Sequence, residues 1–280
     1  MTVPHRVQWT EPTPIDASNA AHAGVSILAQ GPSGSGKTHL ICSMPQPIVV
    51  GVTESNISLY TGRIAEGAKI TLFPLRSWAD YKWFVLKTKN HEWDAATVAL
   101  DSYTVVGEFC VSHESGLPGA LNKLGLLERS RWANVASGQF DELLALLETT
   151  HPQAGKSSYN IVVSVHEQDE KIYGKDSTGN QIVVGISEIM PAVPGGFRGT
   201  FASKFDCVFI MASEVVRTAD KQGVQRPSST RHFMWTVSPD PLHKSVKDTL
   251  GGNGGRKALP PQVENTWRAL QAAWTNTEEK

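Results

Sequence analysis

The stretch Gly31-Pro32-Ser33-Gly34-Ser35-Gly36-Lys37-Thr38 combines three glycines with a terminal lysine and hydroxyl residue. It fits the phosphate-binding loop pattern G-x-x-x-x-G-K-[ST] at every fixed position. Glycines allow successive backbone N–H groups to turn inward and form an anion-binding concavity. The Lys37 amine can reach the β- and γ-phosphates of a nucleotide, and the Thr38 hydroxyl can bind Mg²⁺.

The flanking sequence supports this interpretation, because such a loop connects a buried strand to a helix. Residues 25–29 predict the strand, and residues 38–44 predict a short helix that Pro45 ends. A helix beginning here would direct its positive dipole end toward the phosphates. The alternative is a Gly/Ser surface loop that binds nothing. We predict a nucleotide site formed by Gly31, Pro32, Ser33, Gly34, Ser35, Gly36, Lys37, Thr38 and His39.

Composition restricts the remaining possibilities. The chain has 280 residues, of which 40% are hydrophobic, enough for one large domain or two small ones. A net charge of −1 does not indicate a nucleic-acid-binding protein. Residues 196–257, however, contain ten Lys/Arg and five Asp/Glu. That local excess fits either a DNA-facing surface or a solvated face of mixed charge.

The cysteines and the N-terminus bear on location. The three cysteines are far apart and form no C-x-x-C, so we expect a reducing cytoplasm. Residues 4–8 are too polar for the apolar core of a signal peptide. No apolar run approaches the ~20 residues of a membrane-spanning helix, and we expect no membrane contact.

Further strands are predicted where short apolar runs are bounded by turn residues, at 47–52, 69–73, 97–101, 160–165, 207–211 and 231–237. Residues 171–173 and 181–184 flank a turn-rich segment and predict a β-hairpin. Strands and helices alternate through the first two thirds of the chain. This pattern predicts an α/β fold with a mostly parallel central sheet, helices on both faces and a C-terminal strand extension.

Helices and loops complete the prediction. Ser77 opens a helix with Asp80 at the capping-box position. Residues 130–149 form a second helix, and Val263, Trp267, Leu270 and Trp274 mark a last one. Glycines and prolines predict loops in three segments. These are 57–75, apart from the short strand within it, 107–129 and 190–205. We divide the chain into an arm at 1–23, a nucleotide-binding domain at 24–250, and a Gly-rich linker with a C-terminal helix at 251–280.

Two acids follow the carboxyl ends of predicted strands, the edge where ligands bind in parallel sheets. Asp101 can hold the water shell of Mg²⁺ opposite Thr38, although an ordinary strand-end Asp would look the same. Ser102 follows Asp101 in place of a second acid, so the group that activates water must lie elsewhere. Glu54 is our choice, because a carboxylate there could orient or deprotonate the attacking water.

Two basic side chains complete the set. His166 follows the strand predicted at 160–165, and it could sense the γ-phosphate through a hydrogen bond or be a satisfied histidine beside the core. Lys244 and Lys247 could neutralise charge on a neighbouring subunit's nucleotide or be ordinary exposed lysines.

These features resemble those of RecA-type P-loop ATPases, in particular short phage-encoded RecA/RadA-like proteins, some of which act in single-strand annealing and recombination. The resemblance covers about residues 24–250 and rests on 31–38, Glu54, Leu100-Asp101-Ser102 with Thr104, 163–167, 194–206 and 244–248. It implies that Glu54 is the catalytic glutamate. It also implies that His166 couples the γ-phosphate to a DNA-contacting segment at 168–203, and that Lys247 acts on the adjacent protomer of a homo-oligomer.

The sequence therefore predicts a protein that binds and hydrolyses ATP with Mg²⁺ and acts on single-stranded DNA in recombination or replication. The resemblance implies a bacterial host cytoplasm if the protein is phage-encoded. Its predicted catalytic residues are Lys37, Glu54, His166 and Lys247, and its predicted metal ligands are Thr38 and Asp101. Two alternatives stay open. A nucleotide-dependent scaffold would bind ATP without turnover, and a small-molecule phosphotransferase would need an arginine-bearing lid.

Overall fold

The computed structural model describes residues 23–55, 57–115, 129–152, 156–176, 178, 180–194, 197–219, 225–251 and 256–275. The strands are β1 Ser26–Gln30, β2 Ile48–Val52, β3 Ile70–Pro74, β4 Thr97–Asp101, β5 Asn160–Val165, β6 Glu167–Lys175, β7 Gln181–Pro191, β8 Cys207–Ala219, β9 Gln225–Trp235, β10 Lys247–Asp248 and β11 Gln262–Glu264. The α-helices are α1 Lys37–Ser43, α2 Ser58–Ala65, α3 Trp78–Lys89, α4 Tyr103–Ser115, α5 Arg129–Leu147, α6 Arg198–Phe201 and α7 Trp267–Thr275. Short 3-10 turns follow α5 and α6 at Glu148–Thr150 and Ala202–Lys204.

One large sheet organises the fold. Its strand order is β11-β9-β8-β1-β5-β4-β2-β3, and β10 pairs with β8. The run from β8 through β1, β5, β4 and β2 to β3 is parallel throughout. The pairs that add β9, β10 and β11 are antiparallel. This topology confirms the predicted α/β class with its mostly parallel sheet and C-terminal strand extension.

Alternation along the buried strands explains the layers. In β1, Leu28 faces one core, and its neighbours Ile27 and Ala29 face the other. The first core also contains side chains of α3, α4 and α5, whereas the second contains side chains of α1, α2 and α7. Successive strand side chains point to opposite faces, so each parallel strand is apolar on both sides. Helices therefore cover both faces, as predicted.

Two antiparallel hairpins extend from this sheet. Strands β6 and β7 form a separate two-stranded sheet, hereafter the ribbon, which begins directly after His166. The ribbon confirms the predicted hairpin and is longer than the sequence pattern indicated. Strands β8 and β9 pair from Ile210–Trp235 out to Ala219–Gln225, well past the apolar segments that predicted them.

The structure contradicts parts of all three predicted loops. Residues 58–65 form helix α2, because Tyr60 is inserted into the core beside α1. Helix α4 continues through Ser115, so the loop predicted at 107–129 is wrong over its first part, and residues 116–128 lie outside the described ranges. Gly107 does not break the helix. A Cβ there would lie 2.4 Å from Pro194, so the glycine permits close packing.

The loop predicted at 190–205 is also wrong in its second half. Helix α6 and the turn after it occupy 198–204, and Phe197, Phe201 and Phe205 are all buried in the first core. Their spacing of four residues places them on one side of this short helical segment. Glycines and prolines just upstream had hidden that period.

The C-terminal segment packs into the same sheet. Val263 lies in β11 and not in the last helix, and β11 pairs with β9. In α7, Leu270 and Trp274 are buried in the second core. The predicted division of the chain at residue 250 stays a prediction. The predicted arm up to residue 22 and residues 252–255 lie outside the described ranges. No helix in those ranges is long and apolar enough to cross a bilayer.

Candidate functional site

The phosphate-binding loop connects β1 to α1 and is shaped by its glycines. Gly36 has φ 96°, a conformation that favours glycine, and a Cβ there would lie 2.6 Å from Asn265 Nδ2 and 2.9 Å from the His232 ring. A Cβ on Gly31 would lie 2.6 Å from the Met211 carbonyl oxygen. The loop is therefore pressed against β8, β9 and the residue that follows β11.

Lys37 lies inside this loop. Its amine donates to the carbonyl oxygens of Gly31 and Pro32, both at 2.8 Å, and lies 3.5 Å from His166 Nδ1. Burial lowers the pKa of Lys37, while the charges of Asp101, Glu54 and Glu167 act in the opposite direction. The loop thus holds a cation beside its own backbone, in a position to exchange carbonyl partners for phosphate oxygens.

Asp101 is held by hydroxyl groups from three different elements. The Thr38 hydroxyl of α1 donates to Asp101 Oδ2 at 2.9 Å, and the Tyr60 hydroxyl of α2 donates to the same oxygen at 2.8 Å. The Ser164 hydroxyl of β5 donates to Oδ1. Asp101 and Ser164 follow directly on the paired residues Leu100 and Val163, which brings them side by side. The two predicted metal-binding residues are therefore in direct contact.

Glu54 meets His166 across the site. The distance between Glu54 Oε1 and His166 Nε2 is 3.0 Å. Their contact is the first cause of a lowered pKa for Glu54, and the nearby Ser102 side chain and the charge of Lys37 act in the same direction, against burial. Glu54 is thus an ionised carboxylate at neutral pH. Because His166 approaches Lys37 through its other ring nitrogen, the imidazole bridges the predicted base and the phosphate-binding lysine.

The carboxyl ends of β2 and β4 are tied together at this point. Val52 pairs with Asp101, and Thr53 N donates to the Asp101 carbonyl. The Thr53 hydroxyl accepts from Ser102 N at 2.9 Å and donates to the Ser102 carbonyl at 3.0 Å. The Asp101–Ser102 peptide bond is cis. The hydrogen bonds of Thr53 with Asp101 and Ser102 fix the relative positions of Glu54, two residues beyond β2, and Asp101, the last residue of β4.

A cavity of about 300 Å³ lies between the phosphate-binding loop and the side chains of Glu54, Asp101 and His166. Among the predicted residues, it is lined by Ser33, Gly34, Gly36, Lys37, Thr38, His39, Glu54, Asp101 and His166. Ser35 is buried within the loop, and Gly31 and Pro32 take part through their carbonyl groups. The structure thus gathers the predicted nucleotide, metal and catalytic residues of the strand ends around one space, with the exception of Lys247.

Lys247 lies elsewhere in its own chain. It pairs with Val208 near the amino end of β8, at the opposite edge of the sheet from the phosphate-binding loop. Its amine donates to the Ser203 carbonyl at 3.0 Å, and burial lowers its pKa. Lys244 is 3.7 Å from Glu188 of the ribbon. Any action of Lys247 on a nucleotide requires a second copy of the chain.

Several residues of the site were not found from the sequence. Tyr60 and Ser164 bind Asp101, and Ser164 could have been noticed as a polar residue inside an apolar strand. Asn265 Nδ2 donates to the Gly36 carbonyl at 2.7 Å, and the His232 ring stacks on His39 with 5.9 Å between centroids. Burial lowers the pKa of His39, and nearby Arg63 contributes. Contacts between residues so distant in sequence leave no local pattern.

The sheet, the glycine-rich loop and the carboxylate beside it define a P-loop domain of the ATPase type. A family model described as an AAA domain matches residues 23–243, and the chain belongs to that family. The family supports nucleotide binding as the property of this cavity. A comparison with curated proteins gave no match.

Proposed function

We propose that this protein is a Mg²⁺-dependent ATPase of the RecA-like type that acts on single-stranded DNA in recombination or replication. The observation that carries the ATPase part is the His166 bridge. It joins Glu54 on one side of the cavity to Lys37 on the other, at 3.0 and 3.5 Å. A carboxylate, a cation and a polar ring converge where a γ-phosphate and an attacking water would meet.

Thr38 and Asp101 are suited to hold the metal. Hydroxyl and carboxylate oxygens are hard ligands of the kind that Mg²⁺ prefers, and Mg²⁺ commonly uses one or two carboxylates together with substrate phosphates. Within the ranges that the structure describes, no cluster of three or more His, Cys, Asp or Glu could hold a metal ion by itself. When bound, Mg²⁺ would offset the negative charge of the phosphates.

The chain's own residues then have separate tasks. The Lys37 amine would exchange the Gly31 and Pro32 carbonyls for phosphate oxygens. The Glu54 carboxylate would orient a water for in-line attack and accept its proton. His166 would lose one partner when the γ-phosphate enters, and the ribbon begins at the next residue. Hydrolysis would thereby alter the position of the ribbon and its grip on DNA.

Phosphate release from ATP tests the ATPase, with Glu54→Gln as the variant and Glu148→Gln as the matched control. Glu148 is an exposed residue of the 3-10 turn after α5, outside the cavity. We expect Glu54→Gln to lower turnover about 100-fold or more while ATP binding persists, because removal of a general base typically costs 10²–10⁴-fold. Glu148→Gln should match the wild type. Equal turnover in all three proteins would refute the role of Glu54.

The DNA-binding part rests on less, namely the basic excess at 196–257 and the position of the ribbon, and it needs a separate test. Lys171 and Lys175 lie on exposed parts of the ribbon, and Lys82 and Lys89 lie on the exposed side of α3. Each pair is replaced by glutamine, which changes net charge equally. We expect only the ribbon variant to weaken binding to single-stranded DNA. Its plot of log affinity against log salt should flatten by about 1.4, or ~0.7 per lost phosphate contact.

The two alternatives predict different outcomes of the same assays. Wild-type protein that binds ATP tightly but releases no phosphate would favour a scaffold. Phosphate transfer that needs a small-molecule acceptor would favour a phosphotransferase. Turnover that ignores single-stranded DNA would keep the ATPase and remove the role in recombination.

The homo-oligomer and the role of Lys247 belong to the same proposal. Lys247→Ala should lower turnover only at protein concentrations where the chain self-associates, as measured by sedimentation. A loss of turnover in dilute, monomeric protein would contradict action between subunits.

A further inference from the structure

We propose that Tyr60 is a positioning residue for the metal-binding carboxylate of Asp101. The proposal rests on the function proposed above, in which Asp101 and Thr38 hold Mg²⁺. Because Tyr60 lies in helix α2, this helix would contribute to metal binding in addition to the phosphate-binding loop and the acid at the strand end. The evidence lies in the contacts, the burial and the chain position of Tyr60.

The contacts distinguish the two carboxylate oxygens of Asp101. Oδ2 accepts from both Thr38 and Tyr60, at 2.9 and 2.8 Å, whereas Oδ1 accepts from Ser164. The oxygen beside the predicted metal-binding hydroxyl is therefore the one that Tyr60 holds. A carboxylate offers about four acceptor sites, two on each oxygen, so the one site that these three donors leave free lies on Oδ1.

Burial makes Tyr60 a fixed donor. The side chain is 0% exposed and packs in the core between α1, α2 and the sheet. A phenol fixed in this way can hold the Asp101 carboxylate in one orientation, which suits Mg²⁺ because that ion demands near-ideal octahedral geometry.

Chain position adds a connection between the two halves of the site. Tyr60 and Glu54 both lie on the segment between β2 and β3, and Ser58 and Leu59 line the cavity itself. Movement of this segment would therefore reach the metal-binding carboxylate of Asp101 through Tyr60 and the attacking water through Glu54. Outer partners of metal ligands typically contribute 10–100-fold to metal affinity or activity.

The test is the Mg²⁺ dependence of nucleotide binding, which does not require turnover. Affinity for a non-hydrolysable ATP analogue is measured by calorimetry against Mg²⁺ concentration for wild type, Tyr60→Phe and the control Tyr159→Phe. Tyr159 is also buried, and its hydroxyl donates to the Trp93 carbonyl at 2.9 Å, far from the cavity at the amino end of β5. Both variants delete one phenolic hydroxyl and keep the ring.

We expect Tyr60→Phe to need about tenfold more Mg²⁺ for half-maximal binding, at the lower end of the effect of such partners. Its affinity in EDTA should stay unchanged, and Tyr159→Phe should match the wild type in both conditions. Equal Mg²⁺ midpoints in all three proteins would refute the proposal. A wild type that binds the Mg²⁺–nucleotide complex but never hydrolyses ATP would refute the ATPase and leave the role of Tyr60 standing.

A second measurement avoids any loss of folding in the variant. 3-Fluorotyrosine is placed at position 60 or 159 of the otherwise wild-type protein, and ¹⁹F NMR spectra are recorded for the nucleotide-bound form. Addition of Mg²⁺ should shift the resonance at position 60 and leave the one at 159 in place. A position-60 resonance that ignores Mg²⁺ would refute the proposal.

Discussion

The cavity has two halves that differ in how firmly their side chains are held. The metal half is formed by Asp101 and Thr38, and the water half by Glu54 and His166. Asp101 is 8% exposed and accepts from hydroxyls of α1, α2 and β5. The side chain of Glu54 is 41% exposed and is held mainly by the half-exposed His166. The contacts around Asp101 thus make the metal half firm, whereas the water half has fewer contacts and could rearrange when a γ-phosphate binds. Such a division would let nucleotide bind to a fixed frame and let hydrolysis depend on a movable one.

Asp101→Asn should break the firm half and produce the largest effect. An amide in place of the carboxylate turns an NH₂ group toward hydroxyls that now donate, and leaves buried polar groups poorly paired. We expect a loss of about 1–3 kcal/mol in the free energy of unfolding. Turnover should fall about 100-fold or more because the metal ligand is gone. Chemical denaturation and phosphate release measure the two effects.

Asp206→Asn is the matched control. Asp206 accepts from the backbone and hydroxyl of Ser26 at the opposite end of β1, so its replacement should also lower stability. Turnover per folded molecule should stay at the wild-type level. Loss of turnover in both variants would show that general destabilisation, and not the metal half, explains the result.

Glu54→Gln should break the movable half without touching the frame. Its large effect on turnover is described above, but its free energy of unfolding should stay within about 0.5 kcal/mol of the wild type, as for an exposed position. Urea denaturation provides the measurement. A loss as large as that of Asp101→Asn would erase the difference between the halves.

His166→Ala should sharpen the comparison through pH. His166 is the first cause of the lowered pKa of Glu54, so its removal should raise that pKa toward the ordinary value of 4.5. A carboxyl group whose pKa is lowered by folding stabilises the folded protein at pH values above its pKa in the unfolded chain, and this stabilisation is lost as pH falls through its pKa in the folded protein. In the variant, the proposed base Glu54 would become protonated at a higher pH. The acid limb of the turnover profile should therefore move to higher pH. An unmoved limb, or an equal shift in the exposed-site control His151→Ala, would contradict this assignment.

Asn265→Ala should have the smallest effect and asks whether the C-terminal segment belongs to the fixed frame. The change removes the hydrogen bond to the Gly36 carbonyl, and we expect about 1 kcal/mol of lost stability. Thermal unfolding with and without nucleotide measures it. Gln271→Ala on the exposed side of α7 should change little, and equal losses in the two variants would place the effect in the helix itself.

Local sequence patterns predicted the phosphate-binding loop and Asp101 better than they predicted the residues that hold these groups in place. The glycine-rich loop and the apolar strand that ends in Asp101 can each be recognised from a segment of eight residues or fewer. Helix α2 was missed because its exposed Leu59 and Ile64 blur the apolar period, although Tyr60 is its one buried residue. The capping residue Ser77 was found because an N-cap is a local device, and its hydroxyl accepts from Asp80 N.

Long-range partners could not be predicted for a different reason. Asn265 meets Gly36 only because β9 and β11 are added beyond β8, and the order of strands in a sheet is not encoded in any short segment. The same holds for His232 on His39. At Gly107 the local pattern gave a wrong prediction. Glycine usually interrupts helices, but here the missing side chain lets Pro194 pack closely against the helix.

The two ends of the ribbon meet at one residue. Strand β6 begins after His166, and Ala192 N, just past β7, donates to the His166 carbonyl at 2.8 Å. With His166 as the hinge, the ribbon would act as a lever on the contact between the imidazole and Glu54. Nine residues of strand span about 30 Å, so a tilt of about 5° at the hinge carries the tip through about 3 Å. A displacement at the cavity smaller than a bond length would be magnified into one comparable to the spacing between atoms in contact.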